Sequence, residues 1–140
     1  MSDKVLIIKL GALGDIVMST PLVCAIKKHH PRSQTVLLTA VKFGYVFENF
    51  DGISIKTFDR HSLYQTLEIA KWIRSNNFTH IYDLQGSRRT GILTLMSRAA
   101  FRAGNHNSLG YTHFPATPWK GQQHIFDRMC LLLKTCDINV

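Results

Sequence analysis

The sequence predicts an open, doubly wound α/β sheet, mostly parallel and Rossmann-like. Three features of the 140-residue chain support this. Unalternated apolar runs rich in β-branched residues recur along it, as strands buried on both faces require. Each run leads through a turn signal into a segment with helical patterning. Five such alternations fill the chain and leave no room for a second ordinary domain.

The first run is Val5-Leu6-Ile7-Ile8, continuing through Lys9 to Leu10. Gly11, Gly14 and Asp15 follow, then an apolar series at Ile16, Val17, Leu22, Val23 and Ile26. Glycines there allow a sharp turn at positive φ and close approach of a ligand to the backbone. The spacing predicts one helix from Asp15, kinked at Pro21, because a fresh start at Pro21 would leave Ile16 and Val17 in a buried loop. Beyond Pro31-Arg32-Ser33, Thr35 to Ala40 reads as the second strand. Lys42 to Phe50 reads as a short helix whose stripe of Phe43, Val46, Phe47 and Phe50 packs into the core. After the turn at Asp51-Gly52, Ile53 to Phe58 alternates enough to be an edge strand.

Ser62 is placed to cap a helix over Leu63 to Ser75, with Leu63, Leu67, Ala70 and Ile73 or Trp72 inward. Asn76-Asn77 ends it. Phe78 to Leu84 is the fourth strand, running into Asp83-Leu84-Gln85-Gly86-Ser87. Ser87 caps the next helix, where Arg88, Arg89 and Arg98 flank Ile92, Leu93, Leu95 and Met96. Ala99 to Ala103 gives a fifth strand. Asn105 to Gln122 reads as a long loop, of a length usually functional or mobile. Gln123 to Thr135 closes the chain as a helix with Ile125, Met129, Leu132 and Leu133 inward. The expected strand order is 3-2-1-4-5. It brings the GALGD and DLQGS turns together at the carboxyl edge, where such sheets hold ligands.

Composition narrows the function. Apolar content of 45% is that of a globular protein and argues against disorder. No apolar run approaches the ~20 residues of a spanning helix. Asp3 beside Lys4 does not open a signal peptide, so a cytoplasmic protein is expected. Cys24, Cys130 and Cys136 are odd in number and widely spaced, which points to buried thiols rather than disulfides or zinc. The seven histidines offer no ligand pair at helical spacing, so no metal centre is expected, and His29-His30 suits a helix end. The net charge of +8 is concentrated after residue 70 and suggests an anionic partner. The cations lack the aromatic interleaving of a nucleic-acid module, so nucleic acid is not expected.

The first turn reads G-x-x-G-D, neither a dinucleotide fingerprint nor a P-loop. Its residues suit an anion held at a helix start; they equally suit a tight turn that Asp15 merely caps.

The wording is more specific. IIKLGALGDIVMSTPL resembles the amino-terminal motif of glycosyltransferase family 9, the ADP-heptose:lipopolysaccharide heptosyltransferases. IYDLQGSRRTGIL, Ile81 to Leu93, resembles that family's second amino-terminal motif. Arg102-Ala103-Gly104 is similar to a third, although Asn105 stands where the family has an apolar residue. The resemblance implies the amino-terminal, acceptor-side half of a two-domain GT-B enzyme, spanning residues 1–140, with the nucleotide-sugar domain absent. It implies inverting transfer of a sugar, with Asp15 as the general base that takes the acceptor hydroxyl's proton. Lys9, Gly11, Ala12, Leu13, Gly14, Gln85, Gly86, Ser87, Arg88 and Arg89 become the expected acceptor- or phosphate-binding residues. Arg98 and Arg102 are expected at the surface or in packing. The implied donor is ADP-heptose or another nucleotide sugar, with no cofactor and no metal. The implied acceptor is an anionic sugar of the lipopolysaccharide core, Kdo or a phosphorylated heptose, reached at the inner face of the cytoplasmic membrane. Exposure of the cleft face would favour self-association. A non-catalytic relic that keeps the acceptor crevice, and an unrelated nucleotide-binding α/β domain, stand as alternatives.

Overall fold

A computed structural model describes residues 3–118 and 124–140. Five parallel strands, β1 (Lys4–Ile8), β2 (Gln34–Ala40), β3 (Ile53–Phe58), β4 (His80–Asp83) and β5 (Phe101–Gly104), form one sheet in the order β3-β2-β1-β4-β5. This is the order the sequence predicts, with the switch between β1 and β4. Four helices join or follow them: α1 (Leu13–His29), α2 (Leu63–Ser75), α3 (Arg88–Met96) and α4 (Ile125–Thr135).

The pleat sorts the core into two layers. Val5, Ile7, Leu37 and Tyr82 face α1 and α4, packing on Leu22, Ile26, Met129 and Leu133. Leu6, Ile8, Leu38 and Ile81 face α2 and α3, packing on Ile69, Ile73 and Leu93. Residues 5–8 are fully buried because helices cover both faces of the strand, which is why β1 carries no alternation.

Several local expectations are corrected. Helix α1 begins at Leu13, two residues before the expected start at Asp15, although it is, as expected, a single helix with Pro21 inside it. The Lys42–Phe50 segment is a 3-10 helix over Val41–Phe47 that still buries Phe43 and Phe47. Helix α2 is capped by Ser62, whose hydroxyl accepts from Gln65 N–H at 3.2 Å, but its buried face is Ile69, Ala70 and Ile73. Leu63 and Leu67 are exposed, as are Ile92, Leu95 and Met96 on α3. Leu67, Ile92 and Met96 instead flank a groove between the two helices. Cys24 is exposed and only Cys136 is buried, its thiol pushed up to about 12 by burial. Arg102 packs, donating to the carbonyls of Gly110 and Ala99, whereas Arg98 is exposed.

The segment after β5 is pinned in its described part. Thr112 and His113 N–H both donate to Arg102 O, and Gly104 N–H donates to His113 O at 3.0 Å. The ring of Tyr111 lies so close over Gly104 that a Cβ there would meet it at 2.3 Å. That contact explains the glycine of the third motif. The remainder of the expected loop, and Gln123 of the closing helix, lie outside the described residues.

Candidate active site

The two glycine turns meet at the carboxyl edge of the sheet. Leu10 N–H donates to the side-chain oxygen of Gln85 at 3.0 Å, and Leu84 and Gln85 N–H both donate to Ile8 O. GALGD and DLQGS therefore form one mouth, as the strand order requires. Helix α1 starts there without a side-chain cap: Ala12 is the N-cap residue, and Asp15 makes no capping bond. The first bond of the helix runs from Ile16 N–H to Ala12 O at 2.9 Å. The amides before it are those a helix start offers to an anion. Asp15 is half-buried in that first turn, and beyond its chain neighbours and its own helix backbone Gly14 has no atom within 4 Å of where a Cβ would stand. Neither Gly11 nor Gly14 adopts positive φ, contrary to expectation. Their value lies in space: Gly11 passes beside Phe43 and the Arg60 guanidinium, and Gly14 faces open room.

In the second turn a glycine is demanded by backbone geometry. Gly86 has φ +69°, and a Cβ would stand 2.6 Å from the Asn105 side chain. Asn105, the departure from the third motif, is buried. It lies over that turn, accepts from Arg128 Nε through its carbonyl at 2.8 Å, and meets His106 through Oδ1. Ser87 and Thr90 then form a reciprocal capping box that starts α3.

Asp83, which sequence reasoning passed over as the end of a strand, is fully buried at the junction. Its Oδ1 accepts from Gln85 and Gly86 N–H at 3.1 and 3.0 Å, and its Oδ2 accepts from Tyr111 OH at 2.6 Å. Burial pushes its pKa up, while Tyr111 and the loop amides favour the ionised form and partly offset that. Lys9 is also buried, just beyond β1. Burial lowers its pKa, and the charges of Asp15 and Asp83 pull the other way. So Lys9 is a buried countercharge to two carboxylates rather than an exposed acceptor contact. The signal that could have found Asp83 is its place, the last strand residue before a glycine turn at the switch point.

Arg88 and Arg89 are exposed at the start of α3 but serve different neighbours. Arg88 lines a pocket of about 360 Å³ with Ser87, His106 and Ser108, a size that suits a sugar. Arg89 donates to the backbone carbonyl of Arg60, tying α3 to the segment after β3. Arg60, absent from the sequence expectations, thus brings a guanidinium to Gly11 from a third strand end.

These features define an open parallel α/β domain with a carboxylate, buried countercharges and a helix start at its switch point. The same fold occurs in solved glycosyltransferase structures, over part of their length. The fold matches a glycosyltransferase family 9 structure from Veillonella parvula with TM-score 0.80 and 18% identity, over 98% of this chain and 42% of that one. It matches E. coli heptosyltransferase WaaC, solved with ADP-2-deoxy-2-fluoro heptose, at TM-score 0.72 and 18% identity, over 96% of this chain and 48% of that one. E. coli ADP-heptose lps heptosyltransferase II matches at TM-score 0.72 and 13% identity, over 92% and 39%. In sequence, the chain is 30% identical over 102 residues to lipopolysaccharide heptosyltransferase 1 of Campylobacter coli, covering 70% of this chain and 30% of that protein. No family profile matches the chain. The resemblance to glycosyltransferase family 9 is shared by sequence and fold, and the chain corresponds to the amino-terminal part of those enzymes. It spans less than half the length of each of these relatives.

Proposed function

We propose that this chain is the acceptor-side half of a heptosyltransferase-like enzyme. It would transfer a sugar from a nucleotide-sugar donor, ADP-heptose or a relative of it, to the lipopolysaccharide core. The observation that carries the reading is the Leu10–Gln85 hydrogen bond, which joins the two family-like motifs into one mouth beside Asp15.

In this mechanism an acceptor hydroxyl oxygen attacks the donor's anomeric carbon. Its proton passes to the Asp15 carboxylate as the new C–O bond forms. The bond to the diphosphate breaks with its electron pair, and attack from the opposite face inverts the anomeric centre. Amides at the start of α1 and the Arg60 guanidinium beside Gly11 balance the leaving charge, so the reading needs no resident cofactor. The acceptor's carboxylate or phosphate suits the Arg88 guanidinium, in the pocket with Ser87 and His106. Among the described residues no helix is long and apolar enough to cross a membrane. The basic surface favours work at the cytoplasmic side of an anionic membrane.

The test is sugar transfer from ADP-heptose to a Kdo-bearing acceptor. Residues 1–140 joined to a carboxy-terminal family 9 donor domain should turn over, and residues 1–140 alone should not, because donor and acceptor are no longer held together. Turnover by residues 1–140 alone would overturn the half-enzyme assignment. Tight binding of a free nucleotide by residues 1–140 without acceptor would favour a nucleotide site at GALGD instead.

A further inference from the structure

At the amino edge of the sheet, opposite the mouth, three ligand-bearing side chains converge from separate elements. Asp3 precedes β1, His30 is the C-cap residue of α1, and His80 opens β4. One ligand atom from each lies within 4.8 Å of the others, and His30 Nδ1 stands 3.1 Å from Asp3 Oδ2. An ion held tetrahedrally at about 2.1 Å keeps its ligands roughly 3.4 Å apart. The Asp3–His30 pair is already at that separation, and His80 needs a shift of order 1 Å.

We infer that Asp3, His30 and His80 form a binding site for a divalent zinc-type cation.

The surrounding hydrogen bonds set the rings for it. Thr79 Oγ1 donates its only proton to Lys4 O at 3.0 Å, so its 2.9 Å contact with His80 Nδ1 makes that nitrogen the donor. The lone pair of His80 is thereby left on Nε2. On His30, Nδ1–H donates to Asp3 Oδ2 at 3.1 Å in the metal-free protein. An ion between them would displace that proton, and Nε2, 2.7 Å from the Tyr82 hydroxyl, would then carry the N–H with the Tyr82 oxygen accepting. Such outer partners are what orient metal-bound imidazoles. Two imidazoles and one carboxylate suit zinc, cobalt or nickel rather than calcium or magnesium, which take oxygen ligands. Asp3 is exposed, so the fourth position opens to water. The ion would cross-link the start of β1, the end of α1 and the start of β4. It lies at the far end of the strands from the transfer mouth and is independent of the function proposed for it.

The experiment is titration of chelator-treated residues 1–140 with Zn²⁺ by calorimetry and with Co²⁺ by visible absorption. A single site is expected, with the intense Co²⁺ bands of four-coordinate geometry and a raised melting temperature. Asp3→Asn and His80→Ala should each weaken Zn²⁺ binding by roughly tenfold or more, and Tyr82→Phe by about tenfold through the lost outer bond. His124→Ser, at a distant helix cap, should leave binding unchanged. Asp3 is exposed, so its variant tests the site without endangering the fold. Absence of Zn²⁺ binding, or binding that survives both Asp3→Asn and His80→Ala, would overturn the inference.

Discussion

The carboxyl edge of the sheet ends in two contiguous turns, GALGD and DLQGS, whereas the amino edge is finished by side chains drawn from positions 3, 30, 80, 101 and 113. At the carboxyl edge the groups are backbone amides, glycines and the half-buried Asp15 carboxylate. Beneath them lie buried Asp83 and Lys9; burial lowers the pKa of Lys9, and the Asp83 charge opposes that shift. At the amino edge imidazoles pack ring to ring: His30 on His80 at 4.6 Å, His80 on Phe101 at 4.9 Å, and Phe101 stacked on His113 at 4.0 Å. One edge keeps space and exposed amides for a ligand. The other closes its space with rings. The difference separates a surface shaped to meet a substrate from one shaped to hold strands together.

The largest expected effect falls on Asp15. In a chain completed by its donor domain, Asp15→Asn should lower transfer by roughly a hundredfold or more, the usual scale for a lost general base. Since Asp15 makes no capping bond, the stability cost comes from its interaction with the helix dipole, about 0.3–1 kcal/mol, and from its charge interaction with buried Lys9. Rate and melting temperature measured on the same variant separate the two roles. Full activity with a lowered melting point would remove Asp15 from the chemistry.

Next in size is Tyr111→Phe. It strips the 2.6 Å hydrogen bond from a fully buried carboxylate and leaves Asp83 Oδ2 short of a donor. A loss of about 1–3 kcal/mol in unfolding free energy is expected, read from denaturant melts. If Tyr111→Phe proves neutral, Asp83 is held by its loop amides alone, and the segment after β5 does not buttress the mouth.

A smaller effect on stability, with the opposite sign, is expected for Gly14→Ala. The site has room for a methyl group, and alanine favours a helix over glycine by up to about 1 kcal/mol. Stability should hold or rise while transfer falls, because the methyl occupies space kept for substrate. Unchanged kinetics would mean that the open room over α1 is incidental.

How much of this was legible follows from where the signals sit in the chain. Strand order and the pairing of the two turns could be read because each turn is a continuous stretch and β1 is apolar on both faces. The inward face of α2 was misread at Leu63 and Leu67, since periodicity alone does not distinguish packing on a sheet from flanking a groove. The roles of Asp83 and Asn105 stayed hidden because their partners, Tyr111 and the Gly86 turn, lie far along the chain. The Asp3–His30–His80 cluster could not be seen by looking for pairs at helical spacing. Its members come from the ends of three different elements, brought together only by strand register.

The smallest expected effect is a difference in acid response between the two edges of chelator-treated protein. Burial lowers the pKa of His30, reinforced by His29 and Lys27 and opposed by Asp3. Burial also lowers His80, reinforced by His30, His29 and His113 and opposed by Asp3; Tyr82 faces the same cluster through its hydroxyl. With folded values below the unfolded one of about 6.5, the unfolded chain binds more protons in that window. The stability these groups contribute is therefore complete above about pH 6.5 and declines as pH falls through the folded values. Asp83 has the opposite sign. Its folded pKa is raised by burial, so acid relieves rather than adds to its cost. Between pH 7.5 and 5.5, after correction for intrinsic exchange, hydrogen exchange should show protection falling first at Thr79 N–H, bonded to Lys4 O at the amino edge. The Gly86 N–H bonded to Asp83 should keep its protection over the same range. Equal loss at both amides would show that the histidine row does not set the acid response, and that the two edges open as one unit.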